Sequence, residues 1–570
     1  MAKSFEEIQS EASRRWQALT SGEVPWIRVG TALCGKAAGA DQVMAAIQAE
    51  LQHHSVQANV SEVGCMGMCY AEPLVDITMS NGHRLFYGKV APDAVPEIVS
   101  AHLVRREPIA ELALGYLGDG RFDSVPDLRE HPMMKSQLRI ALRNAGTIDP
   151  CDIYQYVANG GYSALHKALT RMTPQESLEE VNKSGLRGRG GAAFPTGTKW
   201  SFLARSPGPV KYILCNCEEG DPGAFNDKGI LESDPHTLLE GMLLAGYATG
   251  ASYGYVFIRH GHEGPIRRTW QAIRQARQLG ILGDNILGSS FSFDIEVSLT
   301  GDSYVSGEET ALMEAIEGDR AMPRFRPPFP AQVGLFGKPS NINNVKTLAY
   351  VPQIVEKGGE WFASIGQNRS KGTAILCLSG DLNYTGMVEV PLGMTLHRVV
   401  YEVAGGVPGG KRLKLLQTGG PLGGVLSADQ LEIPLDFEAM AQAGAILGSG
   451  GIIAADEDAC AVDLTRALIA FCQFESCGKC FPCRLGMTHI LEMLERICRF
   501  ESEPGDLELM RQVGQNMQAG SLCGHGQLGF NPVSSALRYF GDEFRIHMVE
   551  KRCPTGRCLE DRFSPQRTRR

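Results

Sequence analysis

Apolar and polar positions change period several times along this chain. From 25 to 105, WIRVGTALCG reads as strand then loop, DQVMAAIQAELQHH as an amphipathic helix, and SVQANVSEVGCMG as strand then loop. VDITMSNGHRLFYGKV alternates like a hairpin with Asn81-Gly82 at its turn. This predicts a small α/β unit, followed by a connector. Helical segments, glycine-rich loops and strands then alternate to about 365, as in an α/β layer domain. GTAILCLSGDLNYTGMVEVPLGMTLHRVVYEVAGG (372–406) predicts short strands, a turn and one helix, a compact β-grasp-like unit. From 458 the period is helical, through ACAVDLTRALIAFCQF, THILEMLERICRF and LELMRQVGQNM, a bundle with the SCGKCFPC loop between two helices. The expected units are 1–110, a connector at 111–150, 151–370, 371–445, 446–550 and a tail at 551–570. The fold class is thus a multidomain α/β chain with an α C-terminal bundle.

Composition agrees with packed cores: 570 residues, 43% hydrophobic and 21% charged, enough for three to five domains. A net charge of −9 gives no reason to expect a nucleic-acid partner, and the basic RFSPQRTRR tail reads as solvated. The charged N-terminus MAKSFEEIQSEASRRW is not a signal peptide, and no stretch of 18 uncharged apolar residues offers a membrane span. GMLLAGYATGASYGYVFI comes nearest, but its glycines and polar residues read as helix, turn and strand, so any membrane attachment is expected through a partner. Sixteen cysteines, some clustered and several alone, point to a reducing compartment, the cytoplasm.

The clustered cysteines carry the chemistry. Cys477, Cys480 and Cys483 form C-x2-C-x2-C, and Cys523 follows in SLCGHG. Three closely spaced thiolates suit three corners of a cubane that a distant fourth closes, the ligation of a [4Fe–4S] cluster. Zinc sites more often show two separated pairs, and a disulfide is the other alternative. The second signal is SGLRGRGGAAFPTGTKW (184–200), with five glycines between 185 and 197. Such a loop lets backbone amides approach a phosphate, with Arg187, Arg189 and Lys199 as positive charge. It matches neither G-x-G-x-x-G nor a Walker motif, and a merely flexible loop is the bland reading.

GLRGRGGAAFPTGTKW, CNCEEGDPGAF (215–225), GDSYVSGEETALMEA (301–315), RFRPPFPA (324–331), NINNVKT (341–347) and ESCGKCFPCR (475–484) follow in order. Together they resemble the NADH-oxidising FMN/iron–sulfur flavoprotein subunit shared by respiratory complex I, NAD-linked hydrogenases and NAD-linked formate dehydrogenases. The resemblance is strongest to the beta subunit of electron-bifurcating [FeFe]-hydrogenases and covers about 150–550. It implies a thioredoxin-like N-terminal domain, a non-classical Rossmann-like FMN/NADH domain, an SLBB-like β-grasp domain and a helical [4Fe–4S] domain. It implies that Gly188, Arg189, Gly190 and Lys199 meet the flavin phosphate and ribityl chain. Asn216, Glu218, Asp227, Asn343, Asn344 and Thr347 then hydrogen-bond the flavin, with Gly307, Glu309 and Ile342 in the same pocket. Tyr304 and Glu308 line the nicotinamide side, Phe194, Phe202 and Phe329 sandwich the adenine, and Arg326 and Asp221 complete the NADH site. Glu218 stands where complex I subunits carry Asp, and Asp221 where they carry Glu. An acid at 221 disfavours a 2′-phosphate and so NADPH. Taken alone, the phenylalanines would be core residues, Cys215 and Cys217 small buried fillers, and Glu308-Glu309 a solvated helix start.

Two further cysteine sets remain. Cys34, Cys65 and Cys69 resemble a thioredoxin-like [2Fe–2S] ferredoxin pattern from which the first cysteine is missing, Val29 standing in its place. The site is a three-thiol candidate for [2Fe–2S] or a relic kept for docking. His547, Cys553 and Cys558 form H-x5-C-x4-C, and with Cys460 would make a zinc site of three cysteines and one histidine; free thiols and a surface histidine are the alternative. Cys151, Cys377, Cys472 and Cys498 read as lone thiols. The expected function is a diaphorase: hydride exchange between NADH and FMN, then single electrons through [4Fe–4S] to or from a partner. The expected partners are a catalytic hydrogenase or formate dehydrogenase subunit and a thioredoxin-like [2Fe–2S] subunit, with electron bifurcation as an option. The rivals are a complex I-like flavoprotein subunit and, in another class, a non-catalytic docking scaffold or redox sensor.

Overall fold

The structure is a computed structural model that describes residues 3–20, 24–79, 83–118 and 124–558. The Asn81-Gly82 turn and the RFSPQRTRR tail lie outside the described residues.

In the N-terminal part, β1 (Trp26–Gly30), β2 (Asn59–Val63), β3 (Val75–Thr78), β4 (Arg84–Tyr87) and β5 (Ala113–Leu117) form one sheet ordered β2-β1-β3-β4-β5. The β1–β2 pair is parallel and the others antiparallel. β1 is buried along its whole length, so its one charged residue needs a partner: Arg28 Nε donates to Asp76 Oδ1 on β3 at 2.7 Å. The helix Ala40–His53 lays Val43, Ile47 and Leu51 on this sheet at a four-residue spacing. β5 falls in the stretch expected to be a connector. The first helix, Phe5–Thr20, sends Phe5, Ile8 and Ala12 into the core of the following unit, against the helix Ile153–Ala158.

That second unit is built on β6 (Tyr212–Cys217), β7 (Tyr253–Arg259), β8 (Asp294–Thr300) and β9 (Ser340–Asn344), all parallel, in the order β8-β7-β6-β9. Parallel neighbours require crossovers, and helices cover the sheet. One of them, Pro235–Thr249, is buried at nearly every position. This explains the apolar stretch GMLLAGYATGASYGYVFI: a core helix, a left-handed turn at Gly250 and then β7. No helix among the described residues is long and apolar enough to cross a membrane.

A third, mixed sheet joins Thr373–Gly380, Gly386–Pro391, Leu413–Thr418, Val425–Ser427 and Gly451–Asp456. Gly451–Asp456 lies in its middle, parallel to the first of these and antiparallel to the third, so the sheet closes beyond residue 445. The buried Glu389 fastens residues 140–142 to it, accepting the N–H groups of Ile140 and Leu142 at 2.9 Å and of Ala141 at 3.3 Å. The chain ends in a bundle of Ala461–Phe474, Phe481–Cys498, Asp506–Gly520 and Asn531–Arg545, packed through Ile469, Met487, Ile490, Leu494 and Met517. The architecture is mixed α/β in several units with a helical C-terminus.

Candidate flavin and iron–sulfur site

In parallel α/β sheets ligands gather beyond the carboxyl ends of the strands. Asn216 stands one residue before the end of β6, Arg259 closes β7 and Asn344 closes β9, so these ends and the glycine-rich loop share one edge. The loop is a narrow excursion: Gly188 N–H donates to Phe194 O at 2.8 Å, and Thr196 N–H to Leu186 O at 2.9 Å. Gly191 has φ +121°, and a Cβ at Gly190 would stand 2.9 Å from Asn344 Cβ. Glycine is therefore required where the loop meets the end of β9, and the loop is a formed cradle rather than slack chain. The backbone amides and the helix start at Thr196 suit an anionic group such as the flavin phosphate.

The charges of the loop divide. Arg189 is buried, and its guanidinium donates to Arg187 O and Lys371 O, both at 2.7 Å, and to Thr373 O at 3.2 Å. Its N–H donates to Thr347 Oγ1 at 2.9 Å. Arg187 pairs with Glu438 at 2.6 Å. These two side chains tie the loop to the third unit. Lys199 remains: its side chain is 31% exposed, and its Nζ donates to Ile342 O at 2.7 Å and pairs with Glu309. Glu309 also meets Arg326 at 3.3 Å, and Arg326 lies 3.5 Å from Glu308. Glu308 is no solvated acid, since its carboxylate caps a helix by accepting the N–H groups of Thr310 and Ala311 at 2.9 Å.

Behind the loop lies a polar network. Asn216 Nδ2 donates to Gly307 O at 2.7 Å. Asn343 Oδ1 accepts from Trp200 Nε1 at 3.1 Å. Asp227 accepts from Asn344 Nδ2 at 2.5 Å and from Lys346 Nζ at 2.9 Å. Burial pushes the Asp227 carboxyl up, to about 6, against the pull of Lys346. Glu218 accepts from Arg259 Nη1 at 2.8 Å, and burial lifts its carboxyl to about 8 despite that pairing. Asp221 is turned to the Tyr304 hydroxyl and Ser449, and a Cβ on Gly420 would meet its Oδ2 at 2.5 Å. Lys346, Arg259 and Glu219, which accepts the Asp227 N–H at 2.7 Å, escaped the sequence reading. NINNVKT hinted only at Lys346, and nothing in a sequence says that a lysine will be buried beside an aspartate.

Three aromatic rings lie open beside the cradle segments. Phe194, Phe202 and Phe329 are 46%, 49% and 55% exposed, and the first two have ring centroids 6.5 Å apart. They are surface platforms, not core. Cys215 and Cys217 are core, fully buried within the large apolar cluster.

The thiols at Cys477, Cys480, Cys483 and Cys523 line one small cavity with Val305, Pro323 and His525. Cys480 caps the helix Phe481–Cys498, and Pro482 and Cys483 sit in its first turn. Lys479 Nζ donates to Pro323 O at 2.7 Å, Ser476 Oγ stands 3.4 Å from Cys483 Sγ, and His525 Nε2 lies 2.8 Å from Cys472 O. The groups whose ligand atoms all fall within 4.8 Å of one another, the sphere of a single ion, are others; this thiol set is spread around a larger space, as a cubane needs. The turn Tyr304–Gly307 stands between the two regions. Gly307 O binds Asn216 on one side, while Val305 lines the cysteine cavity and the Tyr304 ring lies 5.7 Å from that of His525 on the other.

Two more cysteine groups do meet single-ion spacing. Cys460 Sγ lies 3.4 Å from His547 Nε2 and 3.6 Å from Cys558 Sγ, with Cys553 in the same group. His547 Nδ1 faces Glu543 O at 2.7 Å, which leaves Nε2 for a metal. Cys34, Cys65 and Cys69 form the other group.

An anion cradle at the ends of a parallel sheet, one short turn away from a four-thiol cavity, defines a flavin and iron–sulfur redox protein. Comparison with known proteins agrees. The Nuo51 FMN-binding domain matches residues 181–353, and the NADH-ubiquinone oxidoreductase-F iron–sulfur binding region matches 463–547. The NADP-reducing hydrogenase subunit HndC of Solidesulfovibrio fructosivorans is 45% identical over 74% of this chain and 86% of its own length. The F 2 chain of the NADH-quinone oxidoreductase of Rhizobium meliloti is 44% identical over 73% of this chain and 99% of its own. A crystal structure of an NAD+-reducing [NiFe]-hydrogenase in the H2-reduced state covers 95% of this chain and 90% of its own, with a TM-score of 0.65 at 26% identity. The chain belongs to the family of FMN- and [4Fe–4S]-binding flavoproteins that includes HndC and the F-type components of NADH-quinone oxidoreductases.

Proposed function

We propose that this chain is the NAD(H)-linked diaphorase module of a multisubunit cytoplasmic redox complex. Its partners would be a catalytic subunit of the hydrogenase or formate dehydrogenase type and a thioredoxin-like [2Fe–2S] subunit. When bound, FMN supplies the conversion between a hydride exchanged with NADH and single electrons exchanged with the [4Fe–4S] cluster at Cys477, Cys480, Cys483 and Cys523. The protein's part is positioning. Gly188 and Gly190 allow close approach, and Lys199 supplies the cation for the phosphate. Asn216, Glu218, Asp227, Asn343 and Asn344 form the polar floor. Phe194, Phe202 and Phe329 give the dinucleotide apolar surface to stack on. Electron bifurcation, if the complex performs it, belongs to the partners' clusters as much as to this chain.

The observation that carries this reading is the turn Tyr304–Gly307, which touches the polar floor at Asn216 and the cysteine cavity at Val305. It keeps the two cofactor regions one turn of chain apart. The hydrogenase-type complex is preferred to a complex I-like one because the NAD+-reducing hydrogenase structure spans 95% of this chain, N-terminal sheet included. Within this reading the first three units are a thioredoxin-like domain, a non-classical Rossmann-like FMN/NADH domain and an SLBB-like β-grasp domain. Anaerobic titration with NADH and, separately, NADPH tests it: NADH should bleach the flavin stoichiometrically. A flavin inert to both would leave the scaffold reading.

A structural zinc ion at Cys460, His547, Cys553 and Cys558 completes the proposal. The thiol–imidazole spacings of 3.4 and 3.5 Å and the engaged Nδ1 of His547 support it. Cys558→Ala should lower zinc by one per chain without loss of FMN; unchanged zinc content would remove the site.

A further inference from the structure

The N-terminal thiol group does not have the shape of a two-iron centre. In a [2Fe–2S] rhomb the thiolates on opposite irons are held apart by the rhomb itself. Here the ligand atoms of Cys34, Cys65 and Cys69 all lie within 4.8 Å of one another, and Cys65 Sγ and Cys69 Sγ are 3.7 Å apart. Zinc–thiolate bonds of ~2.3 Å in a tetrahedron give a sulfur–sulfur edge of about 3.8 Å. Three thiols define three corners of such a tetrahedron. The fourth has a candidate that no cysteine pattern reveals. Glu72 is 7% exposed, and its Oε1 stands 3.7 Å from Cys34 Sγ, outside the 4.8 Å group that the three thiols form, so it completes the shell by moving in on the ion. Its Oε2 accepts the Leu74 N–H at 2.8 Å. Among the described residues no lysine or arginine pairs with it. A buried carboxylate without a cation is costly unless something answers its charge.

The geometry points to a single zinc-class divalent ion held by Cys34, Cys65, Cys69 and Glu72, in place of an iron–sulfur cluster. The missing cysteine at Val29 then leaves no gap, since the Glu72 carboxylate beside Cys34 serves as the fourth donor. The surroundings fit a metal-bound thiolate: Gly67 N–H donates to Cys65 Sγ at 3.2 Å. The same loops dock the neighbouring units. Leu33 N–H donates to the Glu232 carboxylate at 3.1 Å, and Gly67 O accepts from Met387 N–H at 2.8 Å. A Cβ on Gly64 would overlap Ser233, and one on Gly67 would overlap Met387 O. Zinc has no redox chemistry, so the ion would pin these loops at the junction of the three sheets and leave the N-terminal unit off the electron path.

Metal inventory of the anaerobically purified full chain and its variants tests this. Cys65→Ala should lose one zinc per chain and keep its iron and FMN. Glu72→Gln, which preserves the buried shape, should release zinc to a chelator at least ten-fold faster than wild type. Zinc-edge X-ray absorption of the Cys558→Ala chain, in which this zinc would stand alone, should read three sulfurs and one oxygen. Loss of two irons in Cys65→Ala, unchanged metal content, or an all-sulfur shell would each overturn the assignment. Unchanged zinc release in Glu72→Gln would remove the carboxylate from it.

Discussion

Arg189 and Lys199 stand ten residues apart in one glycine-rich motif and do different work. Arg189 commits its guanidinium to the carbonyls of Arg187, Lys371 and Thr373, because a buried guanidinium must satisfy all its donors. Lys199, on the first turns of a helix, stays partly exposed beside Glu309. Lys199→Ala should therefore weaken FMN retention. A charge-assisted hydrogen bond is worth ~1.5–3 kcal/mol, roughly ten- to hundred-fold in affinity. Flavin content after gel filtration, with apoprotein titration for the dissociation constant, reads this out; wild-type retention would mean that backbone amides alone hold the phosphate. By the same reasoning Arg189 is a positioning residue for the loop.

At the level of elements, the loop 475–480 and the helix Phe481–Cys498 act as one ligand platform. Cys480 ends the loop and Cys483 lies one helical turn on, so helix geometry sets their separation. The platform docks on the flavin unit through Lys479 to Pro323 O and through Glu475, which accepts the Tyr304 N–H at 2.9 Å. Those contacts survive loss of one thiol. Cys480→Ala should abolish the low-temperature EPR signal of the reduced cubane while leaving FMN at its wild-type level. An unchanged signal would refute the ligand set, and joint loss of FMN would show that the cluster holds the platform in place.

Over the whole molecule, buried carboxyls make stability depend on pH in an unusual direction. Burial lifts Glu218 to about 8, Glu232 to about 7 and Asp234 to about 6, all above their ordinary values. Between those ordinary values and the raised ones the folded chain holds protons that the unfolded chain has released, so stability falls as pH rises. The contribution is complete below about pH 4 and is lost by about pH 8. The melting temperature should drop from pH 5 to 8, and Glu218→Gln should flatten that slope whatever its effect at one pH. A melting temperature that climbs over this range, with a parallel curve for the variant, would show that the pairing with Arg259 outweighs burial.

Much of the fold and of the site could be read in the residues themselves, for reasons of range. The helix Ala40–His53, the apolar core helix before Gly250 and the cysteine loop of the bundle depend on periods and spacings of a few residues, which covalent geometry enforces. The glycines at 190 and 191 were legible because only glycine fits their close approach and left-handed backbone. What the linear pattern left open is set by contacts between distant segments. The packing of Phe5–Thr20 on the second unit, the closing strand at Gly451–Asp456, the anchoring of Arg189 on the third unit and the approach of Glu72 to Cys34 are of this kind. Local chemistry chose the ligands and the loops; burial, which penalises each polar group for its lost water, decided which of them face one another.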